Sequence, residues 1–163
     1  PRKFGSILWT NQDPMTHRLI AHLGPEPLSN EFNTDYLYTE SRKRSLSIKS
    51  FIMNNSIVVG IGNIYANEAL FLSGINPKLK ANKISKLRYR KLIRSIETIL
   101  SKAIDKGGTT LRDFVNGNGM PGYFSNELKI YNRAGESCIE CKRKIKMIRQ
   151  NQRSTFYCDF CQT

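Results

Sequence analysis

Acidic side chains are scarce in this chain: 163 residues carry 13 Asp+Glu against 26 Lys+Arg, a formal net charge of +13. Such an excess repels itself in a compact fold unless a polyanion neutralises it, which points to nucleic acid rather than an acidic or neutral small substrate. Long apolar runs are missing too. None approaches the roughly 20 residues that span a bilayer, and no basic-then-apolar leader opens the sequence. A membrane protein is therefore not expected, and the cytoplasm is the expected compartment. Internal repeats and low-complexity tracts are absent. Cysteine is missing from the first 137 residues and then appears four times in the last 26. The apolar fraction of 39% supports a modest core in one domain or two small ones.

Those four cysteines fall as Cys138-x2-Cys141-x16-Cys158-x2-Cys161. Each Cys-x-x-Cys knuckle lets two thiolates converge on one ion, and the residues between can run out and back as two strands. Two disulfides, a thioredoxin-like redox motif or a rubredoxin-like iron site compete with a zinc ribbon. All four cysteines pair off at knuckle spacing and no βαβ pattern surrounds them, so one structural zinc is the favoured reading. Metal-ligating thiolates suit a reducing interior. The insert carries Lys142, Arg143, Lys144, Lys146, Arg149 and Arg153 with no acid among them. A stapled hairpin so charged is most simply a device for holding phosphate.

The body of the chain reads as helical. Asn30 to Tyr38 gives a short amphipathic stretch, followed by the basic cluster Arg42, Lys43, Arg44. Ile48, Phe51, Ile52 and Met53 repeat at helical spacing. Asn54 to Gly62 is too Gly-rich and β-branched to continue, and Asn63 is expected to cap a helix that stops at Gly74. The clearest helix opens at Ser85. Leu92, Ile93, Ile96, Ile99, Leu100, Ala103 and Ile104 form one apolar stripe, read as core, and Gly107-Gly108 ends it. Asn116 to Gly122 is loop by composition. Ser6 to Thr10 reads as one strand without a partner, so a preceding sheet is expected to be missing.

Gly60-Ile61-Gly62 can bring backbone N–H groups close to an anion, and the helix that follows adds its positive dipole end. A dinucleotide fingerprint fails here, because Tyr65 stands where the third glycine belongs and no ribose-binding acid follows. A tight turn between helices is the plainer alternative.

Several separate segments, in order, carry a family resemblance. Ile61 to Glu68 (Ile-Gly-Asn-Ile-Tyr-Ala-Asn-Glu), Gly107 to Phe114, Pro121 to Phe124, Gln152 to Cys158, His22 to Leu28 and Arg2-Lys3-Phe4-Gly5 together resemble the formamidopyrimidine-DNA glycosylases. The resemblance implies a mainly α architecture: a remnant of an N-terminal β-sandwich and linker over 1–24, a helix-two-turn-helix domain over 25–128 and a small β zinc-ribbon finger over 129–163. It also implies a monomer that binds damaged double-stranded DNA in base-excision repair. Family enzymes excise oxidised purines as combined glycosylases and AP lyases, flipping the damaged nucleotide at a cost of about a few kcal/mol.

By the same resemblance, Arg2 faces the orphaned base and Phe4 wedges into the gap. Asn63 and Arg153 hold the phosphates flanking the flipped nucleotide, Arg44 makes a further DNA contact, and Asn116 to Phe124 cover the extruded base. The position of Arg153 is also credited with assisting proton transfer during δ-elimination. A guanidinium is a poor proton donor at neutral pH, so the phosphate role is the stronger expectation. Two departures stand out. Family chemistry uses an N-terminal Pro-Glu, and here Pro1 is followed by Arg2. Ser56 replaces a lysine common before Gly60. The expectation is a DNA-binding portion of a glycosylase, with a non-catalytic nucleic-acid-binding module or decayed homologue as the alternative.

Overall fold

The computed structural model describes residues 7–109 and 124–163. Four α-helices are followed by a two-stranded hairpin: α1 Thr34–Arg42, α2 Ile48–Ile52, α3 Asn63–Leu72, α4 Lys86–Asp105, β1 Lys146–Gln150 and β2 Arg153–Tyr157. Three short 3-10 turns, Pro14–Thr16, Ala81–Lys83 and Phe124–Glu127, link them. The mainly α architecture with a small β ribbon is as the sequence implies.

Polar caps fix where α1 and α4 start. Asn33 accepts the Tyr36 N–H at 3.0 Å, and Ser85 accepts the Arg88 N–H at 3.4 Å. The first helix therefore begins four residues later than the expected Asn30. Residues before it are committed to turns, with Ser29 Oγ donating to the Glu26 carbonyl at 2.9 Å and Phe32 N to the Ser29 carbonyl at 3.2 Å. Helix α4 ends where the Gly108 N–H reaches the Ala103 carbonyl at 2.7 Å, with Gly107 at φ 70° and Gly108 at φ 92°. Left-handed backbone of this kind is what glycine supplies at a helix stop.

Leu92, Ile93, Ile96, Ile99 and Ala103 of α4 are buried, as the stripe predicts. Ile104 is not: it is 66% exposed, one step past the turn that faces the core. Tyr89 of the same helix is buried too, and Leu37, Phe51, Ile52, Ile57 and Leu70 complete the helical core from the rest of the chain. The Ser6–Thr10 strand is a second correction. Residues 7–10 form no strand, and Ile7 and Trp9 lie open to solvent. A strand needs a ladder partner, and none stands beside them among the described residues.

The hairpin pairs antiparallel with Gln150 opposite Arg153. Asn151 (φ 47°) and Gln152 (φ 61°) alone make the turn, which suits a type I′ connection. Asparagine tolerates that backbone, but a glutamine there is strained. Gln152→Gly is expected to raise stability by about 0.5 kcal/mol, the relief of a left-handed residue less the added chain entropy of glycine. Chemical denaturation with zinc present checks it.

A second cluster joins the ribbon to the helices: Phe71 of α3 packs with Ile130, Cys138, Ile145, Phe156 and Cys158. Buried polar groups then fix the docking. Glu68, 1% exposed, accepts the N–H groups of Lys129, Ile130 and Tyr131 at 2.8–2.9 Å. Gln162 accepts the Cys158 N–H at 2.9 Å and donates to the Ile75 carbonyl at 2.9 Å. Asn67 accepts the Phe156 N–H at 2.8 Å. Stranding any of these groups without a partner costs about 1–3 kcal/mol, so ribbon and helices hold one relative position.

Candidate nucleic-acid interface

The four cysteines are free thiols whose Sγ atoms all lie within 4.8 Å of one another. The Cys138–Cys161 separation is 3.9 Å and the Cys141–Cys158 separation 3.4 Å. A disulfide would draw two sulfurs to about 2.0 Å. A zinc tetrahedron with bonds of about 2.3 Å sets its sulfurs about 3.8 Å apart, and the thiolates match that spacing. Backbone bonds shape the first knuckle: Cys138 N–H donates to the Arg143 carbonyl at 2.8 Å, and Lys142 N–H to the Cys138 carbonyl at 3.0 Å. With four sulfur ligands the site is closed. It is one structural zinc centre, with no position for a catalytic water.

Beyond the ribbon turn, Arg153 stands between two adjoining cavities. One, of about 150 Å³, is lined by Lys49, Ser50, Met53, Gln150, Asn151 and Arg153. The other, of about 330 Å³, is lined by Met53, Asn55, Gly60, Ile61, Gly62 and Arg153. Neither lining includes a carboxylate. Gly60 adopts φ 76°, which turns the chain into α3, and a side chain at Gly62 would meet only open space. Helix α3 thus opens toward a basic cleft with its dipole unopposed by any acid in the lining.

Asn63 was expected to be the cap, but Gly62 takes that position without a side-chain bond, and Asn63 is the first helical residue. Its side chain is half-buried and lies 3.4 Å from the Asn67 amide. Arg153 and the Gly60–Gly62 turn are thus brought together around one cavity, whereas the Asn63 side chain lines neither. Arg44 lies outside both linings: it follows the end of α1, with Nη2 3.7 Å from Glu40 and Nε buried without a partner. Arg2, Phe4 and residues 116–123 of the segment expected to cover an extruded base lie outside the described residues. Phe124 is buried, its ring centroid 6.0 Å from that of Tyr65. Ser56 is tied by its N–H and hydroxyl to Asn54 Oδ1, both at 3.0 Å.

The basic insert is less uniform than its composition suggests. Lys146 is paired with Asp159 at 2.6 Å, and Arg143 stacks 4.1 Å over the Phe160 ring. Lys49, which sequence reasoning passed over, is 2% exposed and donates to the Ser154 carbonyl at 2.8 Å and Thr155 Oγ1 at 2.7 Å. Burial first, then the nearby Arg153 charge, lowers its pKa to about 8. A lysine depressed in the fold binds its proton less well there than in the open chain. The penalty is full below about pH 8, so folding stability should rise from about pH 8 toward the free-lysine pKa of about 10.4. Lys49→Met should flatten that rise in denaturation curves recorded across the window. Its only sequence signal was a lysine inside the apolar run Ile48 to Ile52.

A profile described as the formamidopyrimidine-DNA glycosylase H2TH domain matches residues 23–115, and one described as the zinc finger found in FPG and IleRS matches residues 135–163. The formamidopyrimidine-DNA glycosylase of Idiomarina loihiensis is 54% identical over 162 residues, covering 99% of this chain and 60% of that protein. The chain thus spans about three-fifths of the length of the curated relatives it matches. Among solved structures, the MutM (Fpg) protein of Thermus thermophilus superposes with a TM-score of 0.83 at 32% identity, covering 88% of this chain and 55% of that one. The Lactococcus lactis Fpg in complex with abasic-site-containing DNA gives 0.81 at 35%, covering 88% and 53%.

Proposed function

The chain belongs to the formamidopyrimidine-DNA glycosylase family, and from that premise we propose that it forms the duplex-DNA-binding part of a base-excision-repair glycosylase/AP lyase for oxidised purines. The observation that carries this reading is the acid-free cleft in which Arg153, Lys49 and the start of α3 converge. Two cations set close together without a neutralising carboxylate repel each other, and an anion relieves that repulsion. A phosphodiester fits the chemistry of every group there. Arg153 offers a forked donor, the first turn of α3 offers N–H groups, and Asn63 offers a carboxamide.

In this reading Asn63 and Arg153 grip the backbone on either side of a nucleotide extruded from the stack. Two fixed phosphates resist closure of the helix around the gap, so part of the flipping cost is offset by contacts that intact DNA makes less well. Arg153 acts as a phosphate ligand, its guanidinium offering a planar fork of N–H donors to phosphate oxygens. Lys49 supplies potential from below the cleft floor. Arg44 reaches the same strand further along from the end of α1, while Arg2 and Phe4 attend the unpaired base. The protein works as a monomer on damaged duplex, in the cytoplasm where bacterial DNA lies. No described helix is long and apolar enough to cross a membrane.

Fluorescence anisotropy with labelled duplexes, intact and carrying an abasic-site analogue, tests the proposal at several salt concentrations. Binding that weakens steeply with salt supports it. Salt-insensitive binding, or none, contradicts it.

A further inference from the structure

Asn67 lies in the second turn of α3, 1% exposed, and its side-chain amide bonds both β2 and the start of its own helix. Its Oδ1 accepts the Phe156 N–H of β2 at 2.8 Å, while Nδ2 donates to the Asn63 carbonyl at 2.6 Å and approaches Asn63 Oδ1 at 3.4 Å. The partners leave no ambiguity in its orientation. A backbone N–H can only donate and a backbone carbonyl only accept, so the oxygen must face β2 and the nitrogen Asn63. Phe156 sits three residues from Arg153 on the same strand.

We infer that Asn67 is a positioning residue that sets the spacing between Arg153 and Asn63 by anchoring β2 to the first turn of α3. The inference rests on the phosphate-binding reading above. The ribbon is also tied to the helical part by Glu68 at the linker, by Gln162 and Asn76 at the last knuckle, by Lys49 at Ser154 and Thr155, by Ser50 at Asn151 and by Lys78 at Tyr157. Asn67 is the side chain that joins β2 directly to Asn63, the first residue of α3. A second consequence concerns direction. Because Nδ2 of Asn67 faces Asn63 Oδ1, the amide nitrogen of Asn63 is left to point away from Asn67, which gives an anion a donor and not a repelling oxygen.

The test compares Asn67→Leu, which keeps volume and removes the acceptor, with Asn67→Asp, which keeps an oxygen for the Phe156 N–H. Both are measured as the full chain with zinc bound. Asn67→Leu should weaken duplex binding about tenfold and lower the salt slope by about 0.9, one phosphate contact. In an Arg153→Ala background the same change should have little further effect, since the group it positions is gone. Asn67→Asp should retain protection of the Phe156 amide in hydrogen exchange but lose the link to Asn63, and so bind duplex at least about tenfold more weakly than wild type. If Asn67→Leu fails to fold, the aspartate variant alone decides: wild-type affinity with the Phe156 amide still protected overturns the inference. Wild-type affinity in Asn67→Leu, or full additivity with Arg153→Ala, overturns it as well. An unimpaired Arg153→Ala protein would instead sink the phosphate-clamp reading itself, so the two failures are distinguishable.

Discussion

Stripping the zinc, or making Cys158→Ser, is expected to unfold the ribbon while leaving most of the helical core in place, and to cut duplex affinity about a hundredfold or more. The ribbon's own apolar content is small. Ile130, Cys138, Ile145 and Phe156 close around the metal with a single helical partner, Phe71. Structural zinc supplies about 10 kcal/mol or more of apparent binding free energy in small finger domains, which dwarfs what so few side chains can bury. Cys158 also donates its N–H to Gln162, so loss of the knuckle frees the last bond to Ile75. Metal analysis should find about one equivalent of zinc in the intact protein and little in the serine variant. Far-ultraviolet dichroism should show the helices surviving. Disulfide-linked cysteines, or full DNA affinity after Cys158→Ser, would contradict this account.

Arg153→Ala should cost about 1.5–3 kcal/mol of duplex binding, the usual worth of a hydrogen bond to a charged group. Three features make this arginine different from the lysines around it. It begins β2 immediately after a two-residue turn, so its backbone is held by the ladder. The metal fixes the hairpin from the other end. Lys49, below it, repels its charge and so favours whatever anion arrives. A preorganised cation loses little freedom on binding. Lys142, by contrast, lies on the exposed knuckle and donates to the Ile139 carbonyl at 3.2 Å. Lys142→Ala should be close to neutral at moderate salt and show mainly as a shallower salt dependence.

Local patterns in the sequence carried much of this. Cysteine spacing is set by what two thiolates on one short loop can reach, so the metal site was readable from four letters and the three intervals between them. The stripe of α4 was readable because a 20-residue helix repeats its signal over more than five turns. Short elements fared less well. Helix α1 slid by four residues because Asn33 caps better than the turn-forming residues before it, and such competition is decided by neighbours rather than by periodicity. Ile104 fell out of the core because the stripe outlasts the surface it packs against. Residues 7–10 had strand composition, but a strand is a property of two segments.

What the sequence could not disclose is the polar stitching between the two halves. Lys49 meets Thr155 across 106 positions, Asn67 meets Phe156 across 89, and Glu68 meets Ile130 across 62. None of these pairs has a spacing rule, since each depends on how the finished ribbon docks. The family motif that drew attention to Asn63 contains Asn67 and Glu68 as well. Their packing role became visible only once the ribbon was seen lying against them.

The most direct test of the central claim is a double-mutant cycle on duplex affinity with Asn63→Ala, Arg153→Ala and the pair, each titrated across salt. If the two groups grip one backbone as a unit, the double variant should lose clearly less than the sum of the single losses, with a coupling of about 0.5–3 kcal/mol. Each single variant should also lower the salt slope or the neutral affinity more than Lys142→Ala does. Strict additivity, with all three single variants equal, would mean that the positive charge acts as a diffuse cloud and that no clamp exists.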